Sequence, residues 1–341
     1  MFQTRNTLLF SILILLLLLS LLMNISVGQV AIPFKEIFKI IAGSEESKAT
    51  WEYIIINYRL PKAITAILVG IGLSISGLLM QTLFRNSLAG PYVLGLSSGS
   101  SLGVAFVILG AGLLPTFLSD VLLSPYGIIL ASCIGSFMVL LLVIIVSRKL
   151  RDTATILIVG LMFSSFASAI VSVLSYFGSA EQLQKFTFWS MGSLGNLSWQ
   201  NIGILLMVVI VGLLLSLLSL KPLDALLLGE NYAVSMGLNI KKARYIIILA
   251  TSLFAGSITA FAGPIAFVGL AVPHVSKMLF HTSNHKILFW STLLIGAIIM
   301  LFCDMVSQLP GLEFTLPINA ITSIIGAPIV IWLLMRKRSL I

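Results

Sequence analysis

The sequence predicts an all-α, polytopic membrane protein with about ten transmembrane helices, and three observations lead there. Hydrophobic residues make up 59% of the 341 and charged residues 9%, with a mean hydropathy of +1.13. Soluble domains carry roughly 25% charged residues. A chain of this balance cannot cover one core with polar surface and has to be dissolved in lipid. The apolar residues also fall into runs of about 20, the length a helix needs to cross the hydrocarbon. Helix is preferred over strand because lipid cannot satisfy open strand edges. Finally, the basic residues collect between the runs. The net charge of +9 would suggest nucleic-acid binding in a soluble protein, but here it reads as topology, with no nucleic-acid partner.

The first span, 8–27, follows Arg5 and resembles a secretory signal. No small-x-small cleavage pattern follows it and the run exceeds a signal core, so it is read as a retained helix. A mixed-charge outer loop, about 28–61, comes next. Spans 62–84 and 92–114 flank the polar turn FRNSLAGP. They contain VGIGLSISG and GLSSGSSLG, whose small residues let helices pack closely in a membrane. Spans 126–147 and 154–178 are separated by Arg148, Lys149 and Arg151. The stretch 179–199 is too polar and Gly/Ser-rich to span. It reads as an interfacial belt anchored by Trp189 and Trp199, or as a cover over a pathway mouth.

After the sixth span, 200–220, comes KPLDALLLGENYAVSMGLNIKKAR, residues 221–244. Apolar residues at helical spacing (Leu223, Leu226, Leu227, then Tyr232, Ala233, Met236) predict short amphipathic helices joined through Gly229. This is either an interfacial loop lying on lipid or a docking surface for a cytoplasmic partner. Residues 244–261 and 264–280 form one run without charge between Arg244 and Lys277. Gly263-Pro264 divides it into the seventh and eighth spans, because Pro cannot continue a helix ladder. Spans 287–307 and 317–335 complete the chain.

With the N-terminus placed inside, the inner segments hold Arg5; Arg85; Arg148, Lys149, Arg151; Lys221, Lys241, Lys242, Arg244; Lys277, Lys286; and Arg336, Lys337, Arg338. That is fourteen of the twenty basic residues. The outer segments hold Lys35, Lys39, Lys48, Arg59, Lys62 and Lys185. The bias follows the positive-inside rule with both termini cytoplasmic. Merging the seventh and eighth spans would move the last two basic clusters outside, so ten helices fit better.

Few ionisable residues lie within spans. Asp304, near the outer end of the ninth, reads as a residue reaching the interface, or as a functional intramembrane carboxylate. His281 and His285 have the i, i+4 spacing of helix-borne metal ligands. With no carboxylate or thiolate close by in sequence they read as a solvated loop, and no metal or cofactor is expected in this chain. Cys133 and Cys303 sit in apolar runs, and nothing favours a disulfide between them. There is no carboxylate series for a proton relay, no Ser/His/Asp arrangement and no GxxxxGK[ST]. ATP-driven work would therefore need another chain, and no enzyme activity is expected here.

The stretch RLPKAITAILVGIGLSISGLLMQTLFRNSLAGPYVLGLSSGSSLG resembles the permease subunits of ABC importers for iron-siderophores, haem and vitamin B12, the FecCD-type family. FWSMGSL, LGENYAVSMG, AGPIAFVGLAVPHVSK and IIGAP match in order to the end of the chain. The resemblance implies a type II ABC importer permease fold, with residues 1–341 as one transmembrane permease domain in a bacterial cytoplasmic membrane. It implies a second permease copy or paralogue, two ATP-binding cassette subunits that hold ATP and Mg, and an extracytoplasmic substrate-binding protein. The coupling segment would carry Leu223, Leu228, Gly229, Glu230, Ala233 and Gly237. The cytoplasmic gate would carry Asn86, Leu88 and Thr153. Arg59 and Lys62, in the RLPK that matches the family's RLPR, would pair with acidic residues of the binding protein. The ligand implied is most often a ferric siderophore, with haem and vitamin B12 as alternatives.

Three departures bear on these roles. The family's Asn-Pro-Leu-Ala is Asn86-Ser87-Leu88-Ala89 here, which loses a rigid turn residue. An outer arginine common after the ninth-helix aspartate is Gln308. Glu-Leu-Pro-x-Gly is Thr315-Leu316-Pro317-Ile318-Asn319, so the outer face is less charged. A reading from a different class, an ATP-independent carrier or channel, would call for paired broken helices and a midplane ion site, and the sequence offers no carboxylate pair for one.

Overall fold

In a computed structural model, the structure describes residues 2–28, 30, 32–41, 48–111, 119, 121–149, 153–195, 197–308 and 314–337, and among them every regular element is helical. We number the helices α1 Phe2–Ser26, α2 Phe34–Ile41, α3 Ala49–Ile54, α4 Leu60–Leu83, α5 Leu96–Ile108, α6 Pro125–Lys149, α7 Thr153–Phe177, α8 Ala180–Ser190, α9 Trp199–Leu218, α10 Leu220–Leu227, α11 Glu230–Ser235, α12 Ile240–Ala262, α13 Val268–Phe280, α14 His285–Ser307 and α15 Ile318–Lys337. A helix stands at each of the ten expected spans. Seven are long and apolar enough to cross a membrane alone, and α5, α13 and α15 are shorter apolar helices.

The main difference lies in the outer loop expected over 28–61. Helix begins at Ala49 and runs to Leu83. Arg59 and Lys62 interrupt the apolar window, which made the span look as if it began at 62. Both are mostly buried with internal partners, so neither ends the helix. Pro61 has no N–H to offer the residue 57 carbonyl, and the ladder widens into a π-helical turn over Ile55–Arg59.

The core is built on α4, which is buried along most of its length between α12, α13 and α14. Its small residues set the spacing. A Cβ placed on Gly77 would be driven into the Gly269 carbonyl, and one on Gly70 into the Gly296 carbonyl. Pro273 of α13 donates no hydrogen bond to that same Gly269 carbonyl. The close-packing reading of VGIGLSISG holds at these two contacts. A third Gly–Gly contact, Gly99 with Gly135, joins α5 to α6.

The expected break between the seventh and eighth spans is present. α12 stops at Ala262, Gly263 takes φ +76°, and helix resumes at Val268. A second irregular segment, 84–95, which carries a 3₁₀ turn at Pro91–Leu94, packs beside it. Pro91 lies near Gly269, and the Tyr92 hydroxyl accepts the Ile265 N–H at 3.4 Å. Irregular backbone at this depth is tolerated only where protein or a water-filled cavity surrounds it.

Candidate functional site

Contacts between loops sort the connections into two ends. At one end, Arg5 Nη2 donates to the Phe280 carbonyl at 3.0 Å, Arg85 reaches Leu226, and Asp224 reaches His285. At the other, the Trp199 indole donates to the Ile56 carbonyl at 3.2 Å, Ser193 N–H to Ala262 at 2.9 Å and Leu316 N–H to Ser307 at 2.8 Å. Segments read as inner meet only inner ones here, and likewise the outer. The Gly263 break sits with the outer set, where a ten-helix parity puts it.

At the inner end, α10 and α11 are the two short amphipathic helices expected from the sequence. Gly229, at φ +123°, forms the sharp turn between them, and Gly237, at φ +82°, closes α11. Both angles lie where a Cβ is strained. Leu223 and Ala233 are fully buried and fasten the pair to the membrane body. Leu228, 66% exposed, and Leu227, Tyr232, Val234 and Met236 are displayed. Glu230 Oε1 pairs with Arg244 Nη2 at 3.2 Å, bracing α11 against α12. The exposed apolar row is the surface a partner would cover, and the positions singled out beforehand as Leu223 and Ala233 hold it up from beneath.

The segment expected to form the gate follows α4 directly. Asn86 Oδ1 accepts the Leu88 N–H at 2.9 Å, and the Ala89 N–H donates to the Asn86 carbonyl at 3.0 Å. An Asn at the first position of such a turn is a favoured choice. Its side chain holds the turn in which Ser87 stands where the family has proline. Asn86 and Leu88 are exposed. Thr153 is the first residue of α7, and its side chain lies outside the described residues.

His285 differs from the solvated loop expected. It is 1% exposed, and its Nδ1 lies 2.6 Å from Asp224 Oδ1 and its Nε2 2.9 Å from Thr82 Oγ1. Its carboxylate partner is remote in sequence and could not be found by local spacing. His281 is exposed and in the left-handed conformation that ends α13. Among the described residues no cluster of three or more His, Cys, Asp or Glu could hold a metal ion, and both cysteines are free.

The outer end also corrects an expectation. Asp304, read as reaching the interface, is instead enclosed by protein and 1% exposed. Lys62 Nζ lies 3.0 Å from its Oδ1, while Asn24 and Gln308 amides donate to Oδ2 at 2.9 and 2.8 Å. Arg59 donates through Nη1 to the Ile25 and Ser26 carbonyls at 2.6 and 2.8 Å, and through Nη2 to Val30. The guanidinium thus caps the C-terminal end of α1, where unpaired carbonyls favour a cation. Both cations expected to face a partner have internal partners, and they line a cleft of about 320 Å³ with Asn24, Tyr58 and Gln308. Within the 179–199 stretch Ala180–Ser190 form α8, opened by a Ser179–Gln182 capping box.

Comparison with known proteins adds the lineage. The model of the FecCD transport family matches residues 14–336. The hemin transport system permease protein of Yersinia pestis is 32% identical over 98% of this chain and 98% of its own. The vitamin B12 import system permease protein of Vibrio parahaemolyticus is 35% identical over 83% of each. A metal-chelate type ABC transporter solved in an inward-facing conformation superposes with a TM-score of 0.82 at 29% identity, covering 96% of this chain and 99% of that one. PsaBC from Streptococcus pneumoniae shares the fold at a TM-score of 0.57 and 19% identity. With a helix at each of the ten expected spans and a family match over nearly its whole length, this chain belongs to the FecCD transport family and is a permease subunit of an ABC importer, not itself an ATPase.

Proposed function

We propose that two such permeases, identical or paralogous, line the pathway of an importer for a nanometre-sized metal chelate in a bacterial cytoplasmic membrane. Two ATPase subunits bind ATP and Mg on the inner side, and a substrate-binding protein delivers ligand on the outer side. This chain holds no cofactor of its own. The observation that carries the reading is the row Leu227, Leu228, Tyr232, Val234 and Met236. It is an exposed apolar surface on a braced helix pair outside the membrane-length helices.

The cycle is alternating access. ATP-driven closure of the ATPase pair moves α10–α11, which act on the gate formed by Asn86 and Leu88 and, across the pathway, Thr153. Ser97, Ser98 and Ser101 of α5 face Ser168 and Ser172 of α7 across an uncharged groove of about 270 Å³. Such a lining suits cargo that must leave as readily as it enters. Ferric siderophore stays the first candidate from the sequence, and haem and cobalamin are equally compatible with the relatives' names. The binding-protein role of Arg59 and Lys62 is kept as a proposal. A partner carboxylate would have to enter the cleft they line and compete with Asp304.

The test is ATP hydrolysis by the permease with its ATPase in lipid, with the binding protein carrying ferric siderophore, hemin or cobalamin in turn. Stimulation by one ligand identifies it, and Leu228→Asp should abolish ATPase recruitment. If no ATPase associates under any condition, the coupling assignment fails and a carrier must be reconsidered. Arg59→Glu would be a poor probe of docking, because it also removes the cap on α1.

A further inference from the structure

The end of α4 is joined to α10 by two separate ties, and neither was visible in the sequence. In the first, Asp224 Oδ1 accepts both the backbone N–H of His285, at 3.0 Å, and the ring Nδ1–H, at 2.6 Å. A carboxylate only accepts, so Nδ1 carries the proton. In the neutral ring Nε2 is then left as an acceptor 2.9 Å from the Thr82 hydroxyl, whose one proton is shared between Nε2 and the Leu78 carbonyl at 3.1 Å. Thr82 is in the last turn of α4 and precedes the gate turn by only a few residues. In the second tie, Arg85 donates through Nε and Nη2 to the Leu226 carbonyl, at 3.1 and 2.7 Å. Leu226 is in the last turn of α10, and its carbonyl also accepts the Gly229 N–H at 3.2 Å, so Arg85 holds the turn at the end of the helix. Arg85 makes this reach at φ +45°, a conformation uncommon for a side-chain-bearing residue. The gate residues Asn86 and Leu88 follow it at once.

We infer that Asp224, His285 and Arg85 are positioning residues for transport, forming the rigid linkage by which displacement of α10 is passed to the gate turn. This rests on the proposed coupling role of α10–α11. His285 is the pivot, because its ring is fixed by bonds at both nitrogens and its backbone belongs to α14. Movement of α10 is therefore imposed on the α4 terminus with α14 as the fulcrum. The displayed apolar row on α10–α11 is a different surface, so recruitment of the ATPase and transmission of its stroke are separable.

The experiment combines amide hydrogen exchange of the permease in lipid, with and without its ATPase, and transport per ATP hydrolysed with the three chelates above. Asp224→Ala and His285→Ala should raise exchange at 84–90 about tenfold and lower transport per ATP by a similar factor, with ATPase co-purification unchanged. Thr82→Val cuts only the last bond of the first tie. It should loosen 84–90 while 220–227 keeps its protection. His285→Asn keeps the donor toward Asp224 and should restore 220–227 but not the gate. Exchange that rises only at 220–228, or transport that falls only in step with ATPase recruitment, overturns the linkage. A wild-type permease that recruits no ATPase overturns the proposed function and transmission with it, while exchange in the permease alone still reports whether the ties exist.

Discussion

Asp304 and Lys62 illustrate what a single buried charge demands. Each is compensated mainly by the other, so removing one leaves its partner, Asp304 above all, short of its counter-charge in a largely buried site. Breaking a buried pair in this way typically costs about 3–5 kcal/mol, whereas replacing both partners is far milder. Lys62→Met is expected to lower the unfolding temperature of the detergent-solubilised protein sharply. Lys62→Met with Asp304→Leu should recover much of the loss. Equal destabilisation in the single and double variants would show that the pair contributes little. For Arg59→Met, whose side chain loses carbonyl contacts but leaves no opposing charge, a smaller cost of about 1.5–3 kcal/mol is expected by the same thermal measurement. The sequence exposed each of these residues as unusual but not their fates. Arg59, Lys62, Asp304 and His285 all found partners 30 to 280 positions away, and local spacing carries no trace of such pairs.

The helices themselves were far more legible. Hydropathy placed most spans to within a few residues because lipid imposes one length and one hydrogen-bonding solution on every crossing, though α5, Leu96–Ile108, is shorter than its expected 92–114, of which 112–114 lie outside the described residues. Gly229 and Gly263 were read correctly as a hinge and a break. The exception was α4, whose extension back through a π turn to Ala49 was hidden by charges that turn out to be internal. The glycines give a sharp contrast for test. Gly77→Ala meets the Gly269 backbone, which cannot move aside cheaply, and should cost more than 2 kcal/mol or prevent assembly, read by thermal melting and yield. Gly203→Ala, in α9 with open space around it, should be neutral or stabilising by up to about 1 kcal/mol. Similar losses at both sites would contradict the close approach of α4 and α13.

At the scale of the molecule, the loops gather into two ends that agree with the distribution of basic residues. Impermeant thiol labelling checks this in whole cells. With native Cys133 and Cys303 replaced by Ala, Glu181→Cys should label from outside. Ser235→Cys and Ser283→Cys should label only after the membrane is opened. Labelling of Ser283→Cys opposite to Ser235→Cys would mean that α12 and α13 cross as one. The segment entering α4 has a further consequence. A π turn holds one residue more than an α-helix has room for. The turn absorbs that residue, so α3 keeps the phase of a regular helix one residue shorter. Deleting Asn57 would therefore leave α3 and the contact of the Trp199 indole with Ile56 facing as they do, whereas a residue added to the regular ladder of α4 would turn everything before it by about 100°. The entry to α4 thus works as a length buffer: the outer end tolerates the loss of one residue there, and not a gain elsewhere, without being re-aimed.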